Sequence, residues 1–133
     1  AAANLTRDSI AAVTLTRGIG GWGNGANYSI SVRRDGIAHY HGGLRAVRLG
    51  EFKSLVNSVI VDSALRLVTV PGYLRVTDDV DQCADAEPAT ISILKRTGSE
   101  AQFAAGCGAP ETNGHLAAAL DSLFRNLSWE SAP

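Results

Sequence analysis

"YSISVRRDGIAHYHG", residues 28–42, decides the fold. Tyr28, Ile30 and Val32 alternate with Ser29, Ser31 and Arg33, the period of a strand with one buried face. Asp35-Gly36 supplies the positive φ that a tight hairpin turn needs. Ile37–Gly42 is therefore the antiparallel return strand. A one-residue slip would turn every side chain over, so the apolar set fixes the register. Ala38 and Tyr40 take the covered face with Tyr28, Ile30 and Val32. Ile37, His39 and His41 take the opposite one.

Working outward, "IAAVTLTR" (10–17) alternates as a third strand, with Ala11, Val13 and Leu15 on one side and Ala12, Thr14 and Thr16 on the other. Between it and Tyr28 lies "GIGGWGNGAN" (18–27), a glycine-rich loop carrying Trp22. Downstream, "GLRAVRLG" (43–50) reads as a further strand or extended edge. In "GEFKSLVNSVIVDSAL" (50–65), Phe52, Leu55, Val56, Val59 and Ile60 follow helical spacing. The expectation is a helix with Gly50 as N-cap and Glu51 at the positive end of its dipole. "LVTVPGYLRV" offers a short strand broken at Pro71-Gly72, followed by an acidic loop. "ATISILKR" and "AQFAAG" form a second hairpin. Residues 112–129 form a second helix, capped by Thr112 or Asn113, with Leu116, Leu120, Leu123, Phe124 and Leu127 as its apolar stripe. The fold class expected is α+β: a five- or six-stranded, mainly antiparallel sheet with two helices packed on one face.

The 133 residues suit a single domain, 1–133, with residues 1–8 as an N-terminal tail. A net charge of −1 lacks the basic excess that drives nucleic-acid binding. No apolar run is long enough for a transmembrane helix. The "AAANLTRDS" start resembles what signal-peptide cleavage leaves, so export to the periplasm or beyond is the expectation, with a trimmed N-terminus as the alternative. Cys83 and Cys107 lie in no C-x-x-C or C-x-x-H pattern. In an exported chain an even count points to one disulfide, and two buried thiols are the alternative. Closing that loop would stabilise the fold by about 3 kcal/mol.

His39 and His41 raise a metal question. Same-face neighbours on a strand stand about 6–7 Å apart, close enough for one ion. Catalytic zinc normally has three protein ligands, and His115 belongs to the other side of the sheet. The favoured reading therefore has both imidazoles solvated, beside Thr14, Thr16, Ser29, Ser31, Arg33, Thr90 and Ser92. The acidic run Asp78, Asp79, Asp81, Asp85 and Glu87 lacks the glycine and glutamate of an EF-hand. "GIGGWGNG" lacks the lysine and following helix of a P-loop. There is no G-x-S-x-G elbow. No motif calls for a cofactor.

The order of "VTLTRGIGGWGNGANYSISVRRDGIAHYHG", "EFKSLV", "DAEPATISI" and a last helix before Trp129 resembles a bacterial family of small exported or lipoprotein α+β domains of unknown function. The resemblance spans most of residues 12–129. It implies export, with a lipid-anchored precursor as one form of it, and it implies no activity. Members often carry a cysteine just before the tyrosine-led strand, where this chain has Ala26-Asn27. The open polar sheet face and the Gly-Trp loop make the expectation a binding or interaction module for a protein or small ligand. Its contact residues would be Trp22, Ser29, Ser31, Arg33, His39 and His41. The alternative is a small metal-dependent hydrolase using His39 and His41, with a metal-bound water as nucleophile.

Overall fold

The computed structural model describes residues 5–18, 27–43, 48–71, 74, 89–105 and 111–131. The strands are β1 (Ile10–Arg17), β2 (Tyr28–Arg33), β3 (Ile37–Gly42), β4 (Gly50–Leu55), β5 (Ala89–Lys95), β6 (Glu100–Ala104) and β7 (Glu130–Ser131). The helices are α1 (Ser58–Val68) and α2 (Glu111–Arg125). The seven strands form one sheet in the order β6-β5-β1-β2-β3-β4-β7, and each pairing among them is antiparallel. The α+β class is as expected, but the sheet has seven strands rather than five or six.

The hairpin that anchors the reading is present in the expected register, with Ile30 opposite Tyr40 and Val32 opposite Ala38. Gly36 takes φ +91° in its turn, a conformation that costs glycine nothing. β1 departs from simple alternation. A bulge between Ile10 and Ala12 turns Ile10, rather than Ala11, into the core.

The principal correction concerns residues 50–55. They form β4, paired along β3, and not the first half of a helix. Leu55 and Val59, counted as apolar-stripe residues, are 81% and 71% exposed. Glu51, Lys53 and Leu55 point outward, while Phe52 and Ser54 point inward, so the alternation of a strand was available beneath the helical spacing. Pairing with β3 satisfies this backbone in a way that an isolated helical turn could not. Gly50, with φ +96°, is no N-cap. That role belongs to Asn57, whose side-chain oxygen accepts the Ile60 amide. α1 then buries Val61, Ala64, Leu65 and Val68. The helix continues through Val68, where a strand was expected, and Gly43, Arg48 and Leu49 belong to no strand. In α2, Thr112 and Asn113 lie inside the helix, so neither is its cap, and the helix ends at Arg125. Residues 5–8 are more than a tail: Leu5 packs on the core, and Arg7 pairs with Asp62.

Val13, Leu15, Ile30, Val32, Ala38, Tyr40, Ile91, Ile93 and Phe103 from the sheet share one cluster with Val61, Leu65, Val68, Leu116, Leu120 and Phe124 from the helices. Both helices thus cover the same sheet face. The register also sorts the connections by end. Arg17 pairs with Tyr28 and Ala89, Tyr28 with Gly42, Gly42 with Gly50, and Thr90 with Ala104. The long connections leave from these positions. The opposite end carries the tight turns at 34–36 and 96–99.

Candidate functional site

The outer face is built from the alternate residues that the core leaves behind. Cross-strand register aligns Gln102, Ser92, Thr14, Ser31, His39 and Lys53 in one row. A second row holds Ala104, Thr90, Thr16, Ser29, His41 and Glu51. Ser29, Ser31, His39 and His41 therefore come together on one surface, and Arg33 takes the same face two residues beyond Ser31. Trp22, Cys83 and Cys107 lie outside the described residues.

Several polar side chains on this face bond to one another. The Thr14 hydroxyl donates to Ser31 Oγ at 3.0 Å, and Arg33 is held by Asp35 at 2.5 Å. His41 Nδ1 pairs with Glu51 Oε1 directly across the strands. Side-chain exposures of 55% and 57% make that a solvated contact of small worth. His39 faces Ser31 on one side and Lys53 on the other, and a cation there is a poor neighbour for a metal ion. Among the described residues, no hydrogen bond joins Ser29 or Ser31 to a histidine. No group of three or more His, Cys, Asp and Glu there could hold a metal ion.

A second cluster sits on the inner face at the end with the long connections. Tyr40 stacks with Tyr28 with ring centroids 6.0 Å apart, meets Phe52 edge-on with centroids at 5.7 Å and packs at a tilt against Trp129 with centroids at 5.5 Å. Tyr28 donates to Asp121 Oδ1 at 2.5 Å, and Asp121 also accepts from Arg125 at 3.2 Å. Burial, then the hydrogen bond and the charge of Asp121, push the Tyr28 phenol well above its usual range. The Tyr40 hydroxyl donates to the Arg48 carbonyl at 3.2 Å. A Cβ on Gly42 would overlap that same carbonyl, so the chain needs glycine here to pass. Among the described residues, Arg17 Nε is buried beside this cluster with no hydrogen-bond partner. Residue reading placed Tyr28 and Tyr40 inward but missed their partners. The one available signal was Asp121, an acid set between Leu120 and Leu123 on the flank of an apolar stripe.

Neither a family model nor a curated protein nor a solved structure matches this chain.

Proposed function

We propose that this chain is an exported binding module whose contact surface is the outer face of the sheet, extended by the Trp22 loop. The observation that carries the reading is the contrast between faces. Two helices bury the inner one, whereas none of the described elements lies over the rows containing Ser29, Ser31, His39 and His41. Exposed His39, His41, Lys53 and Gln102 at the ends of short Ser/Thr rows give a partner many donors and acceptors on a rigid scaffold. The loop bearing Trp22 leaves from Arg17 and returns at Tyr28, at the margin of the same surface.

A photocrosslinking residue at Ser31 or His39 tests this. Capture of one discrete partner from both positions, and none from Ala118 on exposed α2, is the expected result. Equal labelling from all three positions would sink the reading. Metal analysis of the purified protein covers hydrolysis: stoichiometric metal lost in both His39→Ala and His41→Ala would replace the binding module with a metal site. Export is tested through the cysteines. Ala89 and Ala105 are hydrogen-bonded neighbours, and Cys83 and Cys107 flank them in the chain. Intact mass should rise by about two hydrogens on reduction, as one disulfide requires. An unchanged mass argues against an oxidising compartment.

A further inference from the structure

The end carrying the tight turns has a chemistry of its own. Two cavities open there, of about 580 and 290 Å³, and both are lined by Arg34 and Asp35. The larger adds Val59 and Arg66, and the smaller adds Arg33 and Arg96. Among the described residues, six of the chain's 12 Lys and Arg gather at this end: Arg7, Arg33, Arg34, Arg66, Lys95 and Arg96. Four described carboxylates accompany them, Asp8, Asp35, Asp62 and Glu100, so among the described residues cations exceed anions at this end, although the whole chain carries −1. Lys95 and Arg96 form no ion pair among the described residues. The pairs Arg33–Asp35, Arg7–Asp62 and Arg66–Asp62 are solvated on both sides and are readily exchanged for other oxyanions. Arg34 is different: its guanidinium is committed to the carbonyls of Ile10 and Arg7, where it holds the turn in place.

Three of the large apolar residues exposed on the described surface stand in the same region. They are Leu55 at 81%, Val59 at 71% and Leu94 at 39%. Leu55 and Val59 bracket the β4–α1 connection, whose Val56 amide is tied to the Gly36 carbonyl at 2.7 Å. Leu94 stands opposite Ala12, which pairs with Arg33.

We infer that this end docks on an anionic bilayer surface, with Leu55 and Val59 entering the interface and Arg33, Arg66, Lys95 and Arg96 meeting lipid phosphates. Guanidinium groups bind phosphate oxygens in bidentate fashion, and apolar side chains beside cations are the pattern of interfacial attachment. A lipid surface suits these residues better than an acidic protein does. The apolar side chains project singly from separate elements, and a protein would need a matched pocket for each. A fluid headgroup layer supplies phosphate at whatever spacing the arginines present.

Co-sedimentation of the full chain with vesicles tests the inference. Binding is expected to vesicles of equal parts phosphatidylglycerol and phosphatidylcholine, to be absent with phosphatidylcholine alone, and to weaken in high salt. Leu55→Ser with Val59→Ser, and separately Arg33→Glu with Arg96→Glu, should each lower the partition coefficient about tenfold or more. Arg125→Glu, at the other end, should bind as the parent does. Circular dichroism checks that each variant is folded, and all the altered side chains are exposed. No binding to the anionic vesicles would overturn the inference, as would parental binding by the Leu55/Val59 variant. Full competition by soluble glycerophosphate would assign the arginines to a free phosphate ligand instead. Binding of polyglutamate without binding of vesicles would assign this end to an acidic protein.

Discussion

On the inner face of the sheet, Val13, Leu15, Ile30, Tyr40, Ile91 and Ile93 are packed under two helices. On the outer face, one residue along each strand, Thr14, Ser31, His39 and Ser92 meet solvent or one another. The backbone is common to both, so the difference lies wholly in the side chains and in what covers them. Inner positions are constrained by volume and by hydrogen-bond satisfaction, since every atom there has lost its water. Outer positions keep their water and are constrained only weakly by the fold. A surface of that kind is open to selection for binding.

Truncation beneath the helices should test this contrast most severely. Phe124→Ala removes a fully buried ring and should cost about 3–5 kcal/mol in urea denaturation. A loss below about 1 kcal/mol would mean that α2 is not the lid of this core. Asn113 comes next. It is fully buried, and its amide donates to the Ala104 carbonyl at 2.9 Å, tying α2 to the end of β6. Asn113→Ala should cost about 1–3 kcal/mol, because the carbonyl loses a buried donor. Denaturation indistinguishable from the parent would remove Asn113 from the inner set.

Tyr28→Phe keeps the ring and deletes the bond to Asp121, for an expected loss of about 1 kcal/mol at neutral pH. The pH dependence gives a sharper reading. The phenol is shifted upward on folding, so folding favours its neutral form. That contribution is fully present below the unfolded phenol value of about 10 and is lost as pH rises toward the folded one. The parent should therefore lose stability above about pH 10 more steeply than Tyr28→Phe does. Parallel curves would refute the assignment. The smallest effect belongs to the outer face. His39→Ala and His41→Ala should each shift stability by less than about 0.5 kcal/mol. A loss of 2 kcal/mol or more, about four times that bound, would show that this face is covered.

Legibility from residues followed the strength of the local pattern. The 28–42 hairpin, the facing of His39, Tyr40 and His41, and the 89–104 hairpin were all readable, because turn chemistry and alternation agree there. The segment 50–60 was not. Phe52, Val56 and Ile60 satisfy helical spacing and strand alternation alike, and nothing local chooses between them. The free edge of β3 chooses, by offering hydrogen bonds to residues 50–55. Asn57 then starts the helix where that edge runs out. The outer face was legible as a list of polar residues. The aromatic cluster around Tyr40 was not, since Trp129 reaches it only after α2 has crossed the sheet.

The sequence by itself determined which strands form hairpins and which side of each strand is apolar, since both depend on neighbours a few residues apart. The tertiary structure alone decided that the sheet has seven strands, that residues 50–55 are one of them, and that Asp121 meets Tyr28. It also decided that, among the described residues, six cations and three exposed apolar side chains share one end of the molecule. Those outcomes join residues far apart in the chain. Only the packing of helices on the sheet, which is cooperative and non-local, brings them together.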